Sequence, residues 1–131
     1  MKKFFNTIIL LLIILNQSSC GLFSEPQGTA EIISSFTSDS GDYQYLESII
    51  KITNIGNKNI YSTTISLRAD SSKRTYYKTT TSTIIIKPGT EIYISVDFSF
   101  EKQNDNKNET SSSEEEKWKE DTVRIIDVFW N

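Results

Sequence analysis

The chain of 131 residues contains no histidine. Histidine is the commonest general base and the commonest transition-metal ligand, and every Ser-His or Cys-His nucleophile needs it. Paired carboxylates of the glycosidase kind remain chemically available, but no Asp or Glu stands in a recognisable catalytic motif. An oxygen-rich stretch at 104–109 lacks the glycine that an EF-hand calcium loop requires. We therefore expect a protein that is not an enzyme and that holds neither a metal nor a cofactor.

The chain has only one long apolar run. Lys2 and Lys3 precede it, Phe4 to Leu15 form the run itself, and four small polar residues follow at 16–19. This order is the three-part layout of a secretory signal. The run is shorter than the roughly 20 residues that a membrane-spanning helix needs, and it lacks the polar face of a helix packed on a core. We therefore expect residues 1–19 to be a signal peptide.

The single cysteine, Cys20, stands directly after this segment. The junction resembles the lipobox of bacterial lipoproteins, in which a signal peptidase cuts before a cysteine that receives a lipid. Ser19 and Gly21 match the small residues of that motif, whereas Gln17 stands where the family has an aliphatic residue. The resemblance implies acyl chains such as palmitate on Cys20 and attachment to a membrane of the cell envelope. The alternative is ordinary cleavage, which would give a secreted soluble protein.

The residue after the cysteine indicates to which membrane a lipoprotein is sorted. Gly21 is not the aspartate that retains some lipoproteins at the inner membrane, so the resemblance favours the outer membrane or the cell surface. Residues 20–28 are then a lipidated tether, and its part after Cys20 spans roughly 25 Å when fully extended. Residues 29–131 have the length of one ordinary domain.

The charge balance is acidic. Loss of Lys2 and Lys3 with the signal reduces the 14 basic residues to 12 against 17 acidic ones, a formal charge of −5. Nucleic-acid-binding domains usually have a basic stripe, so we expect no nucleic-acid partner. With one cysteine, no intramolecular disulfide can form. Packing and backbone pairing must therefore hold the fold together.

The chain from Thr29 onward is rich in Ile, Thr, Ser, Tyr and Phe, and Gly, Asn, Asp and Pro divide it into short segments. This composition is typical of an all-β domain. Seven strands are predicted, at Ala30–Phe36, Tyr45–Thr53, Ile60–Ala69, Arg74–Thr80, Thr83–Lys87, Glu91–Phe100 and Thr122–Trp130. Seven strands in about 100 residues predict an immunoglobulin-like antiparallel β-sandwich.

Two turns and two strand faces follow from local patterns. The cluster at 54–59, rich in Asn and Gly, is expected to close a hairpin between the second and third strands. Pro88-Gly89 is expected to form a turn with the glycine in the left-handed region. Alternation in Glu91–Phe100 assigns its five Ile, Val and Phe residues to one face. In the last strand we expect an inward set of Ile126, Val128 and Trp130.

Three stretches, at 50–60, 65–67 and 86–92, follow the order apolar strand, Asn-x-Gly, strand, Pro-Gly, strand. This layout resembles bacterial immunoglobulin-like extracytoplasmic domains, including the CARDB and FxLYD groups, and covers about half of the mature chain. Such domains are mostly adhesion, assembly or spacer modules without catalytic residues. The resemblance therefore implies a non-catalytic role and transfers no site.

A strongly polar run at about 101–121 separates the last two strands and is far longer than a usual hairpin loop. It is either a solvated disordered insertion or a loop that presents a binding surface. Trp118 is its one large apolar residue, and Ser113 could cap a short helix bearing it. Exposed tryptophan is common at binding hot spots; the alternative is that Trp118 packs back onto the sandwich edge.

Tyr76 and Tyr77 are further candidate binding residues, because tyrosine rings stack on sugars and peptides. Pairing of tyrosines across strands of a sheet is the alternative explanation. From these features we expect a non-enzymatic, membrane-anchored binding or adhesion module for a protein or glycan. The alternative is a structural or assembly accessory of an envelope complex.

Overall fold

The computed structural model describes residues 25–102 and 115–131. They form two antiparallel sheets of three strands each, and the predicted all-β sandwich is confirmed. The strands are β1 (Gly28–Ser40), β2 (Tyr43–Asn54), β3 (Thr63–Asp70), β4 (Thr75–Ser82), β5 (Glu91–Glu101) and β6 (Arg124–Trp130). The first sheet has the order β1-β2-β5 and the second β4-β3-β6. An immunoglobulin-like sandwich has strands A, B and E in one sheet and strands C, C′ and F in the other. Taken in chain order, β1, β2 and β5 correspond to the first set, and β3, β4 and β6 to the second.

The core lies between the central strands β2 and β3. Every second residue of β2 from Leu46 to Asn54 is buried, and so is every second residue of β3 from Thr63 to Ala69. The face predicted for β5 is confirmed, since its Ile, Val and Phe residues all point inward. Each fully buried Ile or Leu stabilises the fold by about 1.5–3 kcal/mol. The alternation of residue types along the central strands is therefore what positions the two sheets.

The described residues contain six strands rather than seven, because Thr83–Lys87 forms no strand. That segment makes only an isolated antiparallel bridge between Ile60 and Ile86. The predicted hairpin between the second and third strands is also wrong. Both edges of β2 are occupied by β1 and β5, so the chain after Asn54 crosses to the other sheet and begins β3 there.

The inward set of the last strand needs one correction. A bulge shifts the register of β6 on β3 between Ser66 and Leu67. The extra residue turns Ile126 outward, where it is 54% exposed. Ile125 takes its place against the core, and Val128 and Trp130 point inward as predicted.

The two ends of the sandwich differ. We call the end at which β1 begins the tether end; residues 25–27, the loops 55–62 and 83–90, and Asn131 form it. The carbonyl oxygen of Gln27 accepts backbone hydrogen bonds from Ile55 and Gly56 of the first loop, and Asn131 and Ser62 exchange two backbone hydrogen bonds. A Cβ atom at Gly28 would lie 2.9 Å from the Trp130 ring, so this close approach requires glycine. Gly89 has φ +73 and forms the predicted turn after Pro88.

The opposite end, which we call the far end, contains the turn at 41–42, the turn at 71–74, Lys102 and the segment 115–123. The segment includes the short 3-10 helix Glu120–Thr122. No helix in the part of the chain that the structure describes has the length and apolarity to cross a bilayer. Residues 25–28 and residues 115–121 therefore lie at opposite ends of one sandwich.

Candidate functional site

Trp118 fills the open side of the sandwich between β4 and β5 at the far end. Its ring centroid lies 4.7 Å from that of Tyr76, 5.0 Å from Phe100 and 6.0 Å from Phe98. The indole N–H donates a hydrogen bond to the carbonyl oxygen of Gln44 at 3.3 Å, and only 7% of the residue is exposed. Of the two alternatives for Trp118, an exposed binding residue and a residue packed back onto the sandwich edge, the structure has the second. The helix proposed at this position is also absent from 115–118, since Trp118 forms a β-bridge with Ser71.

The carboxylate of Glu116 attaches the same segment, 115–123, to the turn at 71–74 and to β4 through hydrogen bonds. Arg74 donates to both carboxylate oxygens, with the shortest contact at 2.7 Å. Ser71 Oγ donates at 2.5 Å and the Tyr76 hydroxyl at 3.0 Å. The Arg74 hydrogen bonds lower the pKa of Glu116 to about 2, assisted by Ser71 and Tyr76 and opposed by burial of the carboxylate. A carboxylate with such a pKa is a poor proton acceptor at neutral pH, so its contacts suit it to holding the segment in place.

Because of this ion pair, the free energy of unfolding depends on pH. Because the folded-state pKa of Glu116 is depressed from 4.5 to about 2, its stabilisation is complete above pH 4.5 and is lost as the pH falls towards 2. We expect Glu116→Gln to lower the free energy of unfolding by about 1–2 kcal/mol at pH 7, with a smaller difference from wild type at pH 3. Urea titrations at both pH values measure this. Glu115→Gln, at an exposed neighbour, is the control, and a Glu116→Gln variant as stable as wild type at pH 7 would contradict the assignment.

Hydrogen bonds also attach the segment 115–123 to β1 and to the end of β3. Glu120 accepts hydrogen bonds from the backbone N–H and the hydroxyl of Thr37 in β1, both at 2.8 Å. Thr122 Oγ1 accepts from the Asp70 N–H at 2.9 Å. Thr75 and Arg68 bind the Asp70 carboxylate and lower its pKa. The segment therefore joins both sheets at the far end and is a structural part of the domain.

The two candidate tyrosines lie on opposite faces of β4. Tyr76 points inward, against Trp118, whereas Tyr77 points outward and is 69% exposed. Beside Tyr77 the outer face of the second sheet has paired hydroxyls: Thr64 with Thr81 at 2.9 Å, and Ser66 with Thr79 at 3.0 Å. Phe129 of β6 is opposite Thr64 on this face and is also exposed. Tyr77 is thus the predicted binding residue that the fold leaves accessible.

Sequence reasoning missed most of this outer face. Thr64, Ser66, Thr79 and Thr81 are adjacent only through strand pairing, and no local motif distinguishes them from other Ser and Thr residues. The residue types in 75–82 do not alternate, so no sequence signal separates Tyr77 from Tyr76, and only the burial pattern of the folded strand does. We call Tyr77, Phe129 and the four paired hydroxyl residues the outer aromatic face.

Two other surface features are weaker candidates. A shallow groove of about 410 Å³ lies between β1 and the segment around Glu120–Arg124, but it is open to solvent and its lining is mixed. On the outer face of the first sheet, the rings of Tyr43 and Tyr45 lie 6.3 Å apart. No group of three Asp, Glu or Cys residues suited to a metal occurs within residues 25–102 and 115–131.

Cys20 and the signal peptide lie outside the described residues, as does most of the polar run, at 103–114. Lipidation of Cys20 and the role of that part of the run therefore stay predictions. Comparison with family models, with curated protein sequences and with solved structures finds no match for this chain.

Proposed function

We propose that this protein is a non-enzymatic lipoprotein, attached to a membrane of the cell envelope through lipid on Cys20, whose sandwich binds a protein or glycan. The observation that supports this proposal is that residues 25–28 lie at one end of the sandwich, whereas the described parts of the polar run, 101–102 and 115–121, lie at the other. Strands of 7 to 13 residues separate the ends by roughly 23–43 Å. A domain held at its tether end therefore presents the far end and both outer faces to the surroundings.

The outer aromatic face is the favoured binding surface. Tyr77 and Phe129 offer exposed rings on a rigid sheet, and aromatic side chains of this kind dominate many interfaces. The hydroxyls between them supply donors and acceptors without charge, which suits the polar groups of a sugar or a peptide backbone. A flat sheet face with these groups needs little reordering on binding, so little conformational entropy is lost.

The test has two parts. Mass spectrometry of the protein purified from membranes is expected to find a lipid-modified Cys20 at the mature N-terminus, and an unmodified cysteine would refute the anchor. A pull-down from envelope extracts then compares wild type with a Tyr77→Ala/Phe129→Ala variant and with a variant in which a short Gly-Ser linker replaces 103–114. Loss of a partner only in the aromatic variant supports the outer aromatic face. Loss only in the linker variant assigns binding to the polar run.

The second candidate function is a structural accessory that packs permanently against an envelope complex. The apolar side chains of Ile33, Phe36 and Tyr93 on the outer face of the first sheet favour it, because permanent interfaces bury more apolar surface. Under this function, Phe36→Ser removes the protein from a large complex in native gels, whereas Tyr77→Ala does not.

A further inference from the structure

Four large apolar side chains project from the tether end. Ile55, Tyr61, Ile84 and Ile85 are each more than half exposed, at 62%, 59%, 53% and 55%. They belong to the two loops 55–62 and 83–90. The antiparallel bridge between Ile60 and Ile86 places Tyr61 beside Ile85 on neighbouring chain segments. An apolar tip of two loops thus lies at the end where the tether enters the domain. We call these four residues the apolar tip.

The same two loops are basic in an acidic protein. Lys58 and Lys87 are their only charged residues, and both are exposed. Within the described residues neither lysine forms an ion pair. Two acidic residues, Glu25 before β1 and Glu91 at the start of β5, lie at the same end of the sandwich. The two loops by themselves therefore carry a formal charge of +2, on a mature chain of formal charge −5, and these carboxylates offset it for the end as a whole.

Buried contacts hold the loops in this shape. The Asn54 amide donates to the carbonyl oxygens of Lys58 at 2.7 Å and Ile86 at 2.8 Å, and its oxygen accepts the Gly56 N–H at 3.0 Å. Ile60 and Ile86 are fully buried beneath the tip. Ile60 and Ile86 occupy the inward positions of their segments, and Ile55, Ile84 and Ile85 lie outside the core. The apolar tip therefore stays outside unless another surface covers it.

We propose that the tether end docks on an anionic phospholipid bilayer, with the apolar tip at the acyl–headgroup boundary and the two lysines beside headgroup phosphates. Apolar side chains combined with basic ones give this kind of interfacial binding. The inference rests on the proposed lipid on Cys20, since a tether of roughly 25 Å keeps this end within reach of the membrane. Docking fixes the orientation of the sandwich and directs its far end away from the bilayer.

The experiment uses the full chain, lipidated in a bacterial host and reconstituted into vesicles. Because Cys20 is the only cysteine and the lipid blocks its sulfur, an introduced cysteine is a unique labelling site. Thr83→Cys, at the tether end, and Lys73→Cys, at the far end, each receive an environment-sensitive fluorophore. Vesicles of phosphatidylglycerol and phosphatidylcholine are compared with pure phosphatidylcholine. We expect an apolar-environment signal from position 83 only, and only with phosphatidylglycerol, and we expect high salt to weaken it.

Variants in the Thr83→Cys background assign the signal to the tip. Ile84→Ser/Ile85→Ser is expected to lower the ratio of docked to free domain about tenfold, and each lysine replaced by glutamine about fivefold. Ile126→Ser is the matched control, because this isoleucine is equally exposed but lies on the outer face of the second sheet. It is expected to dock as wild type does.

The outcomes separate the two proposals. If Cys20 is unmodified and the protein does not float with vesicles, the lipoprotein function is wrong and docking fails with it. If the protein is lipidated and floats, but positions 83 and 73 give the same signal with phosphatidylglycerol, only docking is overturned. Equal loss of docking in Ile126→Ser and in the tip variant would also overturn it.

Discussion

Trp118→Ala is expected to lower the free energy of unfolding by about 3–5 kcal/mol, the usual cost of removing a buried aromatic side chain. The ring contacts Tyr76, Phe98 and Phe100, so its loss leaves a cavity between the open edges of the two sheets. Single domains are stable by only about 5–15 kcal/mol. Equilibrium unfolding in urea, followed by circular dichroism, measures the change.

Two control variants make this result specific. Trp118→Phe is expected to retain most of the stability, because a phenyl ring keeps the aromatic contacts and loses only the indole hydrogen bond to Gln44. Tyr77→Ala is expected to stay within about 0.5 kcal/mol of wild type, since this side chain is exposed. Equal stability of Trp118→Ala and wild type would show that 115–123 does not close the sandwich.

Asn54→Ala is expected to lower the free energy of unfolding by about 2–4 kcal/mol. The side chain makes three hydrogen bonds at the tether end, and a buried hydrogen bond contributes about 1 kcal/mol, or more when a partner is left unsatisfied. Loss of these bonds frees the loop 55–62 from the loop 83–90. Urea unfolding measures the stability, and hydrogen exchange of the two loops reports the local effect.

Asn59→Ala is the matched control, because Asn59 lies in the same loop and its side chain makes none of these contacts. Its stability is expected to match that of wild type within about 0.5 kcal/mol. Asn54→Asp keeps the acceptor for the Gly56 N–H but sets a buried carboxylate against the carbonyl oxygens of Lys58 and Ile86. Its stability at pH 7 is therefore expected to fall below that of Asn54→Ala. If Asn54→Ala were as stable as wild type, the buried side chains of Ile60 and Ile86 alone would hold the loops in place. Docking of the tether end on membranes would then lose its rigid support.

The strands with regular alternation could be predicted, whereas the pairing of strands could not. In Glu91–Phe100 and in Thr63–Ala69 every second residue is apolar or small, so one face must turn to the core whatever the partner strand is. The Asn-rich cluster after Asn54 has the local character of a hairpin turn. It fails to make one because β1 and β5 already occupy both edges of β2, and that competition involves residues far away in the chain.

The candidate binding residues show the same limit. Tyr76 and Tyr77 are adjacent and chemically identical, and only the side of β4 that faces β5 decides which of them is buried. Trp118 has no apolar neighbours in sequence that could reveal a periodic pattern. Its position depends on Arg74, Ser71 and Tyr76, which bind Glu116 from 40 or more residues away along the chain.

The sequence by itself determined the fold class, because composition and two-residue periodicity are local properties of the strands. It also predicts the export signal and the lipid on Cys20, which rest on the order of residues at the N-terminus. Only the tertiary structure decided which residues are accessible. Burial depends on what the opposite sheet supplies, so Trp118 became a core residue, Tyr77 became part of a surface, and four apolar side chains came together at the tether end.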